Sequence, residues 1–250
     1  MTDDPNNLKS MSGAPVWKHE AREREFEFAS GSADLEALEQ HIASCVAAPD
    51  IVFHEVVSDL VHVDVHWIKP DQNRSFHTLI TTGMSDRPMS PPEHASECKY
   101  AELLIELPLD WPLTEEAFKD EKNYWPIRLL KYLARFPHEY DTWLWWGHSV
   151  ANGDPPISYH PTTKLSAAML APAMNLSPDL LTFRCRPDKE VWFFSVIPLY
   201  LDEMNFKLRE GADALFSAFD RYGITELFDP GRRNVVGGGI NDFNRRGCRP

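Results

Sequence analysis

The chain has 250 residues, 43% of them hydrophobic and 25% charged, the balance of an ordinary folded protein long enough to bury a substantial core. A formal net charge of −13 and a pI near 5.2 argue against nucleic acid as a partner, because the field of the molecule repels phosphate. Cys45, Cys98, Cys185 and Cys248 lie far apart without a C-x-x-C pair, which argues against a zinc knuckle or thioredoxin-type motif and for free thiols in a reducing compartment.

The N-terminal stretch "MTDDPNNLKSMSG" lacks the basic start and apolar run of a signal peptide. No apolar stretch approaches the roughly 20 residues of a membrane span. A cytoplasmic protein without membrane contact is therefore expected, with residues 1–15 as a flexible tail. A helix is predicted from Ser32, which can cap it; Leu35, Leu38, Ile42 and Cys45 share one face, and Pro49 closes the segment.

The period then changes to two. "IVFHEVVSDLVHVDVHWIKP" reads as two strands around Ser58 and Asp59. In the second, Val61, Val63, Val65 and Trp67 face one way and His62, Asp64 and His66 the other. "NRSFHTLITTG" is the next strand, followed by the loop "MSDRPMSPP". "YAELLIEL" is another strand, with Ala101, Leu103, Ile105 and Leu107 opposite Glu102 and Glu106.

A short helix is predicted after Thr114 and a longer one after Asn123. Pro126 is tolerated in the first turn of the second, and Trp125, Leu129, Leu133 and Phe136 form its core stripe. Residues 142–165 read as irregular, with "WLWWGHSV" extended. "LLTFRC" and "EVWFFSVIPLYL" form a hairpin through Pro187 and Asp188. One helix is predicted from Asp202 to Tyr222, with Met204, Leu208, Leu215, Phe219 and Tyr222 inward and Gly223 as its stop. Residues 237–250, Gly- and Arg-rich, are predicted to be a second flexible tail. The expected architecture is one α+β domain over residues 16–236, a mixed, largely antiparallel sheet flanked by helices.

The strongest suggestion of catalysis is "HVDVH". Two imidazoles and a carboxylate at i, i+2 and i+4 share a strand face and could approach one metal ion, with His54 and His77 nearby. Against it, such neighbours stand roughly 6–7 Å apart along a strand, long for direct chelation. A solvated strand face explains the same residues. His54–Glu55 opens like H-E-x-x-H, but position 58 is Ser. There is no G-x-S-x-G elbow or Walker loop, and "GGG" at 237–239 has no Lys-Ser/Thr after it. Glu102 and Glu106 have the types of an acid–base pair, yet such residues more often form a solvated face. Ser85, Asp86 and Arg87 cannot form a triad within three residues. Met84 and Met89 suit either an adaptable contact patch or a core plug. His148 after Gly147 suits a partner contact or a turn. The tryptophans of "WLWW" alternate, so at least one should face outward.

Taken together, "LITTGMSDRPM", "YAELLIELPLDW", "NYWPIRLLKYLARF", "GHSVANG", "FFSVIPLYLDEMNFKLREGADALFSAF" and "GITELFDPGR" resemble the suppressor of fused domain family, in order, from about residue 30 to 236. The family motif has Ser where Thr82 stands here. The resemblance implies one α+β domain and no established catalytic activity. Eukaryotic members use this domain with a second one to bind and restrain a transcription factor. Their partner site lies partly between the two domains, so none of its residues is carried over. Single-domain bacterial members resemble immunity proteins that neutralise toxins.

The reading is a non-enzymatic protein-binding domain without cofactor or bound metal. Its partner would be a toxin or another basic protein, met through Met84, Ser85, Asp86, Arg87, Met89, His62, Asp64, His66 and His148. One alternative is a metal-dependent hydrolase on His62, Asp64 and His66 with Glu102 or Glu106 as general base. The other is a structural, oligomeric protein; the oligomeric state itself is left open.

Overall fold

The computed structural model describes residues 8–20, 25–29, 34–55 and 58–236. Ser32, Cys248 and the predicted tail at 237–250 lie outside the described residues. In chain order the elements are α1 (Leu35–Cys45), β1 (Ile51–Phe53), β2 (Asp64–Ile68), β3 (Phe76–Thr82), β4 (Ala101–Pro108), α2 (Glu121–Glu139), β5 (Ser149–Ala151), β6 (Leu165–Pro172), β7 (Thr182–Arg186), β8 (Lys189–Tyr200), α3 (Leu201–Glu210) and α4 (Ala212–Tyr222).

The strands form one mixed sheet in the order β1-β2-β3-β4-β8-β6-β5, with β7 also paired to β8. Every pairing is antiparallel except β4 with β8, where Ala101 meets Trp192 and Leu104 meets Ser195. The fold is thus α+β, with four α-helices among the described residues around a mostly antiparallel sheet.

Strand alternation divides the core. Val63, Val65, Leu79, Leu103 and Ile105 pack with Trp125, Leu129, Leu130 and Leu133 of α2. The alternate residues Ile68, Ile80, Leu104 and Phe193 pack with Leu38 and Ile42 of α1. Further along, Met169, Ile197 and Leu199 meet Met204 of α3 and Leu215 and Phe219 of α4. Each such side chain, once fully buried, contributes about 1.5–3 kcal/mol.

Several expectations are corrected. Asp120 caps α2 by accepting the Lys122 N–H at 3.1 Å, so the helix begins before Asn123. The single helix from Asp202 to Tyr222 is two, because Gly211 takes φ 97° between α3 and α4. β6 lies in a stretch with no strand expectation: "LSAAMLAP" is poor in β-branched residues and is held as a strand by its pairing to β8. His62 precedes β2, which starts only at Asp64, so the run from Val61 to Trp67 is not one regular strand.

Near the N-terminus, Lys9 bridges Pro15 and the Ser12 N–H reaches the Leu208 carbonyl at 3.2 Å. Residues 25–29 run beside the turn before β2: the Leu60 N–H donates to the Glu27 carbonyl at 2.9 Å. Among the described residues no helix is long and apolar enough to cross a membrane.

Candidate functional site

The loop after β3 is built around one carboxylate. Glu102, on β4, is fully buried. Its Oε2 accepts the Thr81 hydroxyl at 2.7 Å, and its Oε1 accepts the Gly83 N–H at 3.0 Å, the Ser85 N–H at 2.9 Å and the Ser85 hydroxyl at 2.7 Å. Burial pushes the Glu102 pKa up, and the Ser85 and Thr81 donors pull it back down. Gly83 makes the wrap possible. It takes φ 101°, and a Cβ there would stand 1.8 Å from the His62 carbonyl oxygen.

The loop's methionines point inward. Met84 and Met89 belong to the core beneath α2. The Met84 carbonyl accepts a hydrogen bond from His138 Nε2 of α2 at 2.9 Å. Burial holds the His138 pKa down, to about 4, so the ring stays neutral and donates. Ser85 is also enclosed, Asp86 is half-buried, and Arg87 pairs with Glu27 at the surface. Met84, Ser85 and Met89 therefore offer no side chain to a partner in this conformation; within Met84–Met89 the accessible residues are Asp86, Arg87 and Pro88.

Beside the loop, at the edge of the sheet, the chain gathers a second polar group. The buried Asp64 carboxylate meets His54 Nδ1 at 2.8 Å through Oδ2 and His62 Nε2 at 3.1 Å through Oδ1, and Oδ1 also accepts the Glu55 N–H at 3.2 Å. Ser58 links the far side of His62 to Glu55: its hydroxyl lies 2.8 Å from His62 Nδ1 and donates to Glu55 Oε2 at 2.7 Å. Glu55 in turn pairs with Arg135 of α2. Leu60, with φ 65°, bends the chain into this turn at a backbone cost of about 1–2 kcal/mol.

This grouping differs from the expected one. His66 does not join His62 and Asp64. It is buried against the α1 side of the sheet, with Nε2 2.8 Å from the Thr82 hydroxyl and Nδ1 3.9 Å from Glu39, and burial lowers its pKa. The third member is His54, brought in by β1. The physical reason is the late start of β2, which frees His62 from strand alternation. His148 lies elsewhere, ring edge to face with Trp143 at 4.5 Å; burial and then Lys207 lower its pKa to about 4. Trp146 is the outward tryptophan of its run.

The acid–base roles considered for Glu102 and Glu106 are not built either. Glu102 is saturated by the loop. Glu106 is also fully buried; Asn175 donates to its Oε2 at 2.8 Å, and burial raises its pKa to about 7. Neither reaches the group at His62.

His54 and Glu55 also form one wall of a groove of about 730 Å³ along α2, whose other lining includes Tyr124, Arg128, Lys131, Tyr132 and Arg135. Sequence reasoning passed over these α2 residues. Their signal was present: 128, 131, 132 and 135 recur at helical spacing along one flank of the stripe of Leu129, Leu133 and Phe136. Lys131 donates to the Phe53 carbonyl at 3.3 Å, and burial lowers its pKa.

Fold and site together are an α+β domain with a loop locked onto a buried carboxylate and, beside it, a polar cluster next to a tyrosine- and arginine-lined groove. The model of the suppressor of fused protein family matches residues 59–233, and the chain belongs to that family. A search of curated proteins finds no match. Solved structures share the fold. A suppressor of fused homologue from Neisseria gonorrhoeae FA 1090 aligns with TM-score 0.58 at 16% identity, over 80% of this chain and 96% of that one. The structure of the Sufu–Fu complex aligns with TM-score 0.57 at 16% identity, over 81% and 92%. Drosophila Suppressor of Fused aligns with TM-score 0.56 at 17% identity over 86% of this chain, which spans about half of that protein, 54%.

Proposed function

We propose that this chain is a non-enzymatic protein-binding domain acting in the cytoplasm. Membership of the suppressor of fused family carries the reading, since a relative of the same fold was solved as the Sufu–Fu complex. The docking face is the α2 groove with His54 in its wall, extended over His62 and Arg87. Tyrosine and arginine are the residue types that most often anchor protein interfaces. Arg128 is paired with Glu121 and Arg135 with Glu55, so the groove offers aromatic faces and largely neutralised charges. Met84, Ser85, Met89 and Asp64 hold that face from beneath.

The partner is a basic protein, steered by the net charge of −13, and at finer grain a toxin that the chain neutralises as an immunity protein. The test is affinity capture from native cytosol with wild type, Tyr132→Ala and Arg87→Glu, followed by gel filtration. A stoichiometric complex that weakens at least tenfold in both variants, and further with salt, supports docking at this face. Repeated capture without a stoichiometric partner counts against the reading. Co-expression with the captured protein, scored as growth rescue, decides the toxin role.

A further inference from the structure

We infer that His54, His62 and Asp64 form a binding site for a divalent transition-metal ion of the zinc type. One ligand atom from each residue, two imidazole nitrogens and a carboxylate oxygen, lies within 4.8 Å of the other two. Ligands about 2.0–2.2 Å from a tetrahedral ion stand roughly 3.3–3.6 Å from each other, so only small side-chain adjustments are needed. His54 is largely exposed and free to make them, while Asp64 is buried and fixed.

Proximity alone would fit a hydrogen-bonded cluster. The direction of the hydrogen bonds adds an independent reason. Glu55 pairs with the Arg135 guanidinium and accepts through its side-chain oxygens. The single Ser58 hydroxyl proton therefore goes to Glu55 Oε2, and the Ser58 oxygen must accept from His62 Nδ1–H. In the neutral ring, Nε2 then carries a lone pair, and it faces the Asp64 carboxylate at 3.1 Å, another acceptor. A proton on Nε2 satisfies both groups, and so does a metal ion in its place, with the Nε2 lone pair and the Asp64 oxygen as two of its ligands. A metal-ligating histidine commonly has this arrangement, with its second nitrogen donating into an outer hydrogen-bond chain that fixes the tautomer. Here the chain is His62–Ser58–Glu55–Arg135.

Two nitrogens and one oxygen suit zinc or a neighbouring first-row ion, and three protein ligands leave a fourth position for water or for a side chain of a partner. The sequence reading, which assigned no metal, weighed His62 and Asp64 with His66 and named His54 and His77 as neighbours that could join.

The experiment is isothermal titration of Zn²⁺ into tag-free, chelator-treated protein, with metal content after dialysis measured by mass spectrometry. One ion per chain is expected in the wild type. His54→Ala, which changes an exposed side chain, and Asp64→Asn should each abolish saturable binding. Ser58→Ala, which touches no metal, should weaken it about 10–100-fold by freeing the His62 tautomer. His94→Ala and His160→Ala should bind as wild type does. Binding absent from the wild type, or unchanged in a folded His54→Ala variant, overturns the proposal. So does ¹⁵N NMR of the metal-titrated protein showing a doubly protonated His62 ring.

Discussion

Gly83→Ala gives the sharpest test of how the loop is built. A Cβ at this position would lie 1.8 Å from the His62 carbonyl oxygen and 2.8 Å from its carbon, whereas real Cβ contacts stay beyond 3.0 Å. The opposing atoms are backbone, so the loop itself must move by more than 1 Å. The bonds from the Gly83 and Ser85 amides to Glu102, 3.0 and 2.9 Å long, do not survive such a shift. Losing each leaves the buried carboxylate short of a donor, at about 1–3 kcal/mol apiece. The positive φ adds about 1–2 kcal/mol for any L side chain. The expected loss is at least ~3 kcal/mol, a large share of the roughly 5–15 kcal/mol that holds a domain folded. Urea denaturation measures it, with Gly223→Ala as the control. Gly223 also has a positive φ, 67°, but nothing within 4 Å of its Cβ position, so it should cost only the strain of the backbone conformation, about 1–2 kcal/mol. If the two variants unfold within ~1 kcal/mol of each other, the close approach to His62 is not what fixes glycine here.

Ser85→Ala removes one hydroxyl from the same carboxylate and should cost about 1.5–3 kcal/mol by urea denaturation, and much less in a Glu102→Gln background. Glu106, raised to about 7, stays protonated in the folded chain while it ionises in the unfolded one, so its contribution is lost as pH rises from 4.5 to 7. Over that range the wild type should lose roughly 3 kcal/mol relative to Glu106→Gln, read from unfolding midpoints at each pH. His138, lowered to about 4, has the opposite sign: its contribution is complete above pH 6.5 and lost as pH falls towards 4. His138→Gln keeps an N–H for the Met84 carbonyl and should lose about 2 kcal/mol less than wild type between pH 7 and 5.

The periodic parts of the chain could be read directly. β3, β4 and the long β8 carry alternation or β-branched runs, and α2 carries a clean apolar stripe, so tertiary packing agreed with local preference. β6 could not be read this way, because its alanines and methionine gain strand geometry only from the neighbour that pairs with them. The break at Gly211 was visible as a residue and not as an event, since an isolated glycine inside a helical pattern is often tolerated. At the site, His62 and Asp64 were singled out and do meet. His54 was named as a neighbour, but His66 was put with them because strand alternation was extended back past the start of β2 at Asp64. Arg135 reaches Glu55 across a distance in sequence that no local pattern encodes, while Ser58 lies only four residues from His62, in a turn without regular period.

The loop and the sheet-edge cluster are one construction. The residues of "TTGMSDRPM" look functional, yet Thr81, Gly83 and Ser85 are occupied with Glu102, and Met84 and Met89 with the core. What they reach at the surface is His62, whose carbonyl lies against the bare Cα of Gly83. A loop locked by four hydrogen bonds to a buried carboxylate thus fixes the backbone that carries one imidazole of the His54–His62–Asp64 group. Such a site depends on supporting residues that hold its side chains in place. On this reasoning, loop substitutions that leave the chain folded should act through His62. Ser85→Ala should weaken the Zn²⁺ affinity of the cluster although Ser85 itself never touches the ion. An unchanged affinity in that variant, with the expected loss of stability, would separate the loop's structural role from the site beside it.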